Sequence, residues 1–86
     1  MARAVEIDSN QLDWVPTKID ANTRLPRHMH PAGEEVFVLE GRVRFDETWY
    51  DAGFYLYSPP GSADDVFTDT GAILFVALPK PHVDLE

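Results

Sequence analysis

The sequence predicts an all-β domain, an antiparallel sandwich or barrel, and three observations predict it. Glycine and proline recur at positions 16, 26, 31, 33, 41, 53, 59, 60, 61, 71, 79 and 81. No window of helical length escapes them with a 3.6-residue apolar period. Between the breaks lie short runs rich in β-branched and aromatic residues, the composition of pleated strands. Two runs, Val36-Phe37-Val38-Leu39 and the segment from Ala72 to Leu78, are apolar on both faces, because successive side chains of a strand point to opposite sides. Many short strands at close spacing favour a sandwich or barrel over an open sheet.

The elements follow in chain order. Residues 1–13 are mostly polar and are expected to be disordered or to add an edge strand. Strands are expected at Val15–Ile19 and Thr23–His30. A turn at Pro31-Ala32-Gly33 leads into Glu35–Glu40, and Arg42–Phe45 follows the Gly41 break. Thr48–Tyr50, Gly53–Ser58, Asp65–Thr68 and Ala72–Leu78 complete the set, so the barrel spans 14–78. The tail, 79–86, is expected to be loose, and its closing Leu85-Glu86 resembles a cloning scar. No internal repeat or low-complexity segment interrupts this plan.

At 86 residues, the chain buries a small fraction of its surface, and such domains gain support from disulfides, a metal or a partner subunit. Cysteine is absent, which removes disulfides and thiol chemistry. Seven basic residues stand against fifteen acidic ones, for a net charge of −8. Nucleic acid and anionic membranes are therefore not expected partners, since phosphate binding needs clustered Lys and Arg. Arg42 and Arg44, the one strand-spaced basic pair, read as a solvated strand face. The N-terminus lacks the apolar core of a signal peptide and no stretch reaches membrane-spanning length, so a cytoplasmic location is expected.

The chemistry concentrates in RHMHPAGEEVFVLEG, residues 27–41. On an extended segment His28 and His30 share a face, with roughly 7 Å between their backbone positions. A divalent ion with bonds of about 2.0–2.1 Å to each imidazole fits that spacing. If the strand after the turn lies antiparallel beside the first, Glu34 returns to the same point. Two imidazoles and a carboxylate make a recognised divalent site. A lone H-x-H in an acidic protein is more commonly two surface histidines; here the turn and the apolar run behind it argue for a ligand role. Glu35 points to the opposite face from Glu34 and is expected in solvent.

The spacing His28-x-His30-x3-Glu34-x6-Gly41 resembles the first motif of the cupin superfamily. Gly53-FYLYS-Pro59-Pro60-Gly61-Ser62-Ala63 resembles its second motif. Within the superfamily, HPAGEEVFVLEG, FDE, Ala52-Gly53-Phe54-Tyr55 and PPGS look like the cupin domain of ChrR-type anti-sigma factors and their stand-alone relatives. The resemblance covers Trp14 to Leu78. It implies a small jelly-roll-type antiparallel β-barrel and, residue by residue, His28, His30 and Glu34 as ligands of one divalent metal ion (Zn, Mn or Fe) per subunit. Where the second motif carries a histidine ligand, this chain has Asp64, followed by Asp65.

Asp64 has three readings. As a ligand it completes a site of two imidazoles and two carboxylates, which balances a divalent charge and suits harder ions such as Mn²⁺ or Fe²⁺. Turned to solvent, it leaves a three-ligand site open to water or substrate. In the third reading the site holds no metal, and two inward carboxylates would then repel until one took up a proton. His82, in the tail, is a remote substitute for the missing imidazole. Met29, Trp14 and Trp49 read as packing residues. Tyr55 and Tyr57 are expected to pack in the core with their hydroxyls at the rim. Ser62 has no histidine–acid pair to activate it.

Strands apolar on both faces, in a chain too small to cover both, predict a homodimer. Three functions stay open. The first is a metal-binding module that binds or senses a small-molecule ligand. The second is a metal-dependent dioxygenase or isomerase acting on a small carbonyl or aromatic compound. The third is a structural cupin working through its dimer surface. The zinc-binding anti-sigma domain of ChrR-type proteins needs cysteines and more chain than this, so direct sigma-factor binding is not expected.

Overall fold

The computed structural model describes residues 14–78, 80 and 82–85, which form eight strands and no helix. These are β1 (Trp14–Ile19), β2 (Thr23–His30), β3 (Glu34–Phe45), β4 (Thr48–Asp51), β5 (Tyr55–Ser58), β6 (Ser62–Thr68), β7 (Ala72–Ala77) and β8 (Val83–Asp84). Every pairing is antiparallel. One sheet runs β1-β7-β3-β5 and the other β4-β3-β6-β2-β8, so the sheet curls into a half-barrel that shares β3. Residues 1–13, expected to be disordered or an edge strand, lie outside the described residues.

β3 makes the corner. Glu34 to Gly41 pair with β5 and β7, whereas Arg42 to Phe45 pair with β4 and β6. Two strands broken at Gly41 are expected from the sequence; the structure has one bent strand of 12 residues. The bend needs a register shift between Val38 and Glu40 and a glycine at 41. There φ is +75°, and a Cβ would lie 2.0 Å from the Gly71 carbonyl oxygen. Strands switch sheets through such bulges and close approaches. Thr68, fully buried, braces the corner by donating from Oγ1 to the Arg42 carbonyl at 2.7 Å.

Other boundaries hold to within two residues, and two larger differences bear on the site. β6 begins at Ser62 rather than Asp65, which places Asp64 inside a strand. The tail, expected to be loose, contributes β8: Asp84 and Val83 pair with His28 and Met29, and the Leu85 N–H donates to the Arg27 carbonyl at 3.0 Å. The physical reason is the outer edge of β2, whose backbone groups an extended segment can pair.

The core lies between the sheets. Ile19, Val36, Val38, Val43, Val66, Ala72 and Leu74 are buried, with Leu25, Phe45, Leu56 and Val76 packed against them. Branched side chains suit this surface because they are stiff and fill the pleat. Of β3's apolar run, only one side is covered: Val36 and Val38 are buried, while Phe37 is 38% and Leu39 42% exposed. Tyr55 and Tyr57, expected in the core, face outward and are more than half exposed. In the β3–β5 register Leu56 opposes Val36 and takes the inner face, so its neighbours turn out. Arg42 is a surface residue as expected, held by Asp69 and stacked 4.4 Å over the Trp49 ring.

Candidate metal centre

His28 and His30 lie on β2, and the partner of β2 here is β6. His28 sits opposite Asp64, and His30 opposite Ser62. The sequence expectation that β3 returns beside β2 is not met. β3 starts in the other sheet, and Glu34 reaches His30 across the interior. Two turns fix this arrangement at one atom: the His30 carbonyl accepts from the Gly33 N–H at 3.2 Å and from the Gly61 N–H at 2.8 Å. Gly33 adopts φ +85° with the Ser58 carbonyl oxygen 2.9 Å from where a Cβ would stand, so only glycine lets the turns meet there.

One donor atom from each of His28, His30 and Asp64 lies within 4.8 Å of the others. Glu34 completes the neighbourhood, its Oε1 3.3 Å from His30 Nε2. That contact is not aligned as a hydrogen bond, since His30 Nε2 has no hydrogen-bond partner. Two atoms sharing one tetrahedral ion at about 2.0–2.1 Å stand roughly 3.3 Å apart. The His28 Nε2 to Asp64 Oδ1 distance is 4.0 Å, somewhat wider. His28 Nδ1 lies 2.8 Å from the Pro26 carbonyl, which places its proton there and leaves Nε2 with a free lone pair. Metal-binding imidazoles are commonly oriented in this way.

Burial sets the charges. It lowers the His30 pKa to about 4, with the neighbouring His28 and His82 adding to the effect; His30 is therefore neutral at pH 7 and able to donate a lone pair. Burial raises the Glu34 carboxyl to about 7, reinforced by the Asp64 carboxylate. Asp64 rises to about 6, again chiefly by burial, despite the opposing pull of His28. A cation between two inward carboxyls would favour their ionised forms. Among the described residues, five buried side-chain polar atoms have no hydrogen-bond partner. Four belong here: His30 Nδ1 and Nε2, Ser62 Oγ and Asp64 Oδ1. Unsatisfied buried atoms are costly, and a divalent cation satisfies neutral imidazoles and carboxylates together. The donors present fit such an ion.

Glu35, as expected, takes the outer face, where its carboxylate accepts from the Tyr55 hydroxyl at 2.6 Å. His82, a remote substitute in the sequence reading, lies close to His28. Its ring centroid lies 4.9 Å from that of His28, and its Nε2 is 3.2 Å from Asp84 Oδ1. No local signal in the tail marks it; only the β8–β2 pairing brings it near.

Residues 3–80 match the family model of the ChrR cupin-like domain. This chain belongs to that family. Similar solved structures share the fold. A cupin-like protein of unknown function from Ralstonia eutropha JMP134 superposes with a TM-score of 0.79 at 23% identity, over 88% of this chain and 51% of that one. A polyketide cyclase from Streptomyces resistomycificus gives 0.76 at 20% identity, over 93% and 67%. An acetylacetone dioxygenase from Acinetobacter johnsonii gives 0.75 at 13%, over 100% and 79%. The cupin thus spans about half the length of the first of these. No curated protein sequence matches the chain.

The cupin's candidate centre opens on a cavity of about 570 Å³ between the sheets. His28, Glu34, His82 and Asp84 are among its polar lining residues, and Leu25, Val36, Phe45, Val66 and Leu74 among its apolar ones. Among the described residues no helix is long and apolar enough to cross a membrane.

Proposed function

We propose that this cupin binds one divalent ion per subunit through His28, His30, Glu34 and Asp64 and uses it to hold a small, largely apolar molecule carrying an oxygen donor, as a ligand-binding module. The observation that carries this reading is the concentration of unpartnered buried polar atoms at His30, Ser62 and Asp64, beside His28 and Glu34, which line a largely apolar cavity. A bound divalent ion supplies a Lewis-acid position for the molecule's oxygen. The chain's own walls would bury the rest, as ligand pockets commonly do. Metal content by mass spectrometry, wild type beside Asp64→Ala, tests the site. Near one equivalent in wild type and little in the variant supports four ligands. Equal content in both removes Asp64 from the set, and no metal after loading with Zn²⁺, Mn²⁺ or Fe²⁺ defeats the reading.

A second reading makes the cupin a metal-dependent enzyme, a dioxygenase or isomerase acting on a small carbonyl or aromatic compound. Its support is the same largely apolar cavity, which His28 and Glu34 line, together with fold likeness to a dioxygenase and a cyclase. Turnover of a diketone or phenolic probe that stops on chelation would establish it. Failure of such probes to turn over, with a rise in melting temperature on their binding, favours the binding module.

The proposal includes a homodimer. On the outer face of β1-β7-β3-β5, Pro16, Phe75, Phe37 and Tyr55 are register partners in a single row, all exposed. A second copy covering this row would remove a sizeable apolar patch from water. A structural cupin acting through that surface, with metal only bracing the barrel, predicts a large fall in melting temperature on chelation and no response to small molecules.

A further inference from the structure

We infer that His82 is a third imidazole donor of the proposed metal centre, delivered by the C-terminal strand in place of the nitrogen that position 64 does not supply. The inference rests on the metal reading above and extends it to the tail. Three observations carry it. First, β8 pairs antiparallel with β2 directly at His28, where Asp84 is the register partner, and the Leu85 N–H anchors the end of β8 to the Arg27 carbonyl. The preceding residue, His82, thereby lines the same cavity as His28 and Glu34.

Second, the ring separations match a shared ion. The centroid of His28 lies 4.9 Å from that of His30 on one side and 4.9 Å from that of His82 on the other. Imidazoles bound to one ion at about 2.0–2.1 Å, at angles of about 90–110° as in a four- or five-coordinate site, have centroids roughly 4.5–5 Å apart. Third, an acidic residue stands beside His82: its Nε2 lies 3.2 Å from Asp84 Oδ1, close but not aligned as a hydrogen bond, so Nδ1 is the nitrogen turned away from that carboxylate. His28 has Nδ1 engaged by the Pro26 carbonyl and Nε2 free.

His82 stands outside the three-residue cluster of His28, His30 and Asp64 in the present conformation. Its side chain is 49% exposed, and the proposal requires it to rotate so that Nδ1 turns inward. The consequence is a clasp. Metal binding pins β8 to the edge of β2, and the tail in turn shields the ion from water. The centre then holds three imidazoles and two carboxylates, a set that keeps nitrogen-preferring ions such as Zn²⁺ competitive despite Asp64.

Zinc K-edge absorption on the zinc-loaded full chain tests this, because outer-shell scattering counts bound imidazoles independently of any activity. Wild type should show three, and His82→Ala two. The variant should still take up about one equivalent of zinc but bind it at least 10-fold more weakly in a chelator competition. Asp84→Asn, which keeps the imidazole but removes the neighbouring carboxylate, should retain three imidazoles with a smaller loss of affinity. A count of two in wild type overturns the inference while leaving the metal reading intact, as does equal zinc affinity in wild type and His82→Ala. Failure of wild type to bind zinc, Mn²⁺ or Fe²⁺ overturns both. His82 is exposed and outside the core, and equal melting temperatures of the metal-free proteins would verify that the variant folds.

Discussion

Glu34 and Asp64 show what a preorganised site costs the chain that carries it. Each carboxyl is buried, each is pushed above its ordinary range, and neither is compensated by a full set of hydrogen bonds. Glu34→Gln should remove one resisting charge while keeping the shape. The metal-free variant is therefore expected to melt higher than wild type and to bind divalent metal at least 10-fold more weakly, the lower end of the loss that even an outer-shell partner's removal produces. Differential scanning in chelator, followed by metal titration, reads both effects; a lower metal-free melting temperature would contradict this account of Glu34. His30 differs from His28. It is fully buried, its carbonyl is gripped by both turns, and its ring is neutral, so it is the donor with the least freedom.

At the scale of elements, β3 and β8 decide the site. β3 crosses between the sheets and thereby carries Glu34 to the far side of the interior from the histidines. Gly41→Ala should damage that crossing in two ways, through an unfavourable φ and through collision with the Gly71 carbonyl. A loss of about 2 kcal/mol or more is expected, since a strained backbone position and an overpacked contact each cost about 1–3 kcal/mol. Chemical denaturation measures it. Gly53→Ala is the control for φ alone, because a Cβ there meets nothing within 4 Å, and it should cost less. β8 is the weaker element, two residues on an exposed edge. Its amides should exchange with solvent far faster than those of β3 and β7.

For the whole molecule, the buried groups set a pH dependence whose sign can be worked out. The carboxyls of Glu34 and Asp64 titrate near 7 and 6 when folded, against ordinary values of 4.5 and 3.8. The unfolded chain releases these protons first, so both groups lower stability as pH rises from about 4 to 7. His30 titrates near 4 when folded, against 6.5; the unfolded chain binds its proton first, so this group raises stability with pH over about 4 to 6.5. Two carboxyls against one imidazole leave a net fall with rising pH. Metal-free protein is expected to melt higher at pH 5 than at pH 7.5. Metal-loaded protein should show the reverse, because metal binding needs the carboxylates ionised. The proposed dimer belongs to this scale as well. Phe37→Asp should shift the mass measured by light scattering from dimer to monomer with little change in metal content, and a wild-type monomer at micromolar concentration would remove the dimer.

Sequence alone determined the fold class, most strand positions, and the residue types from which a metal centre can be built. Periodicity and glycine–proline punctuation are local signals, and the strand conformation they report depends on nearest neighbours along the chain. The spacing of His28, His30 and Glu34 was legible for the same reason, as was the outward turn of Glu35. Only the tertiary structure decided which strands meet. β2 pairs with β6 and not with β3, so Asp64 stands opposite His28 while Glu34 approaches from across the core. Tyr55 and Tyr57 face out because β5 takes its register from Val36, and the tail becomes β8 because the edge of β2 offers it hydrogen bonds. Each of these depends on closing two sheets around one core, a condition between residues 20 to 60 positions apart that no local pattern records.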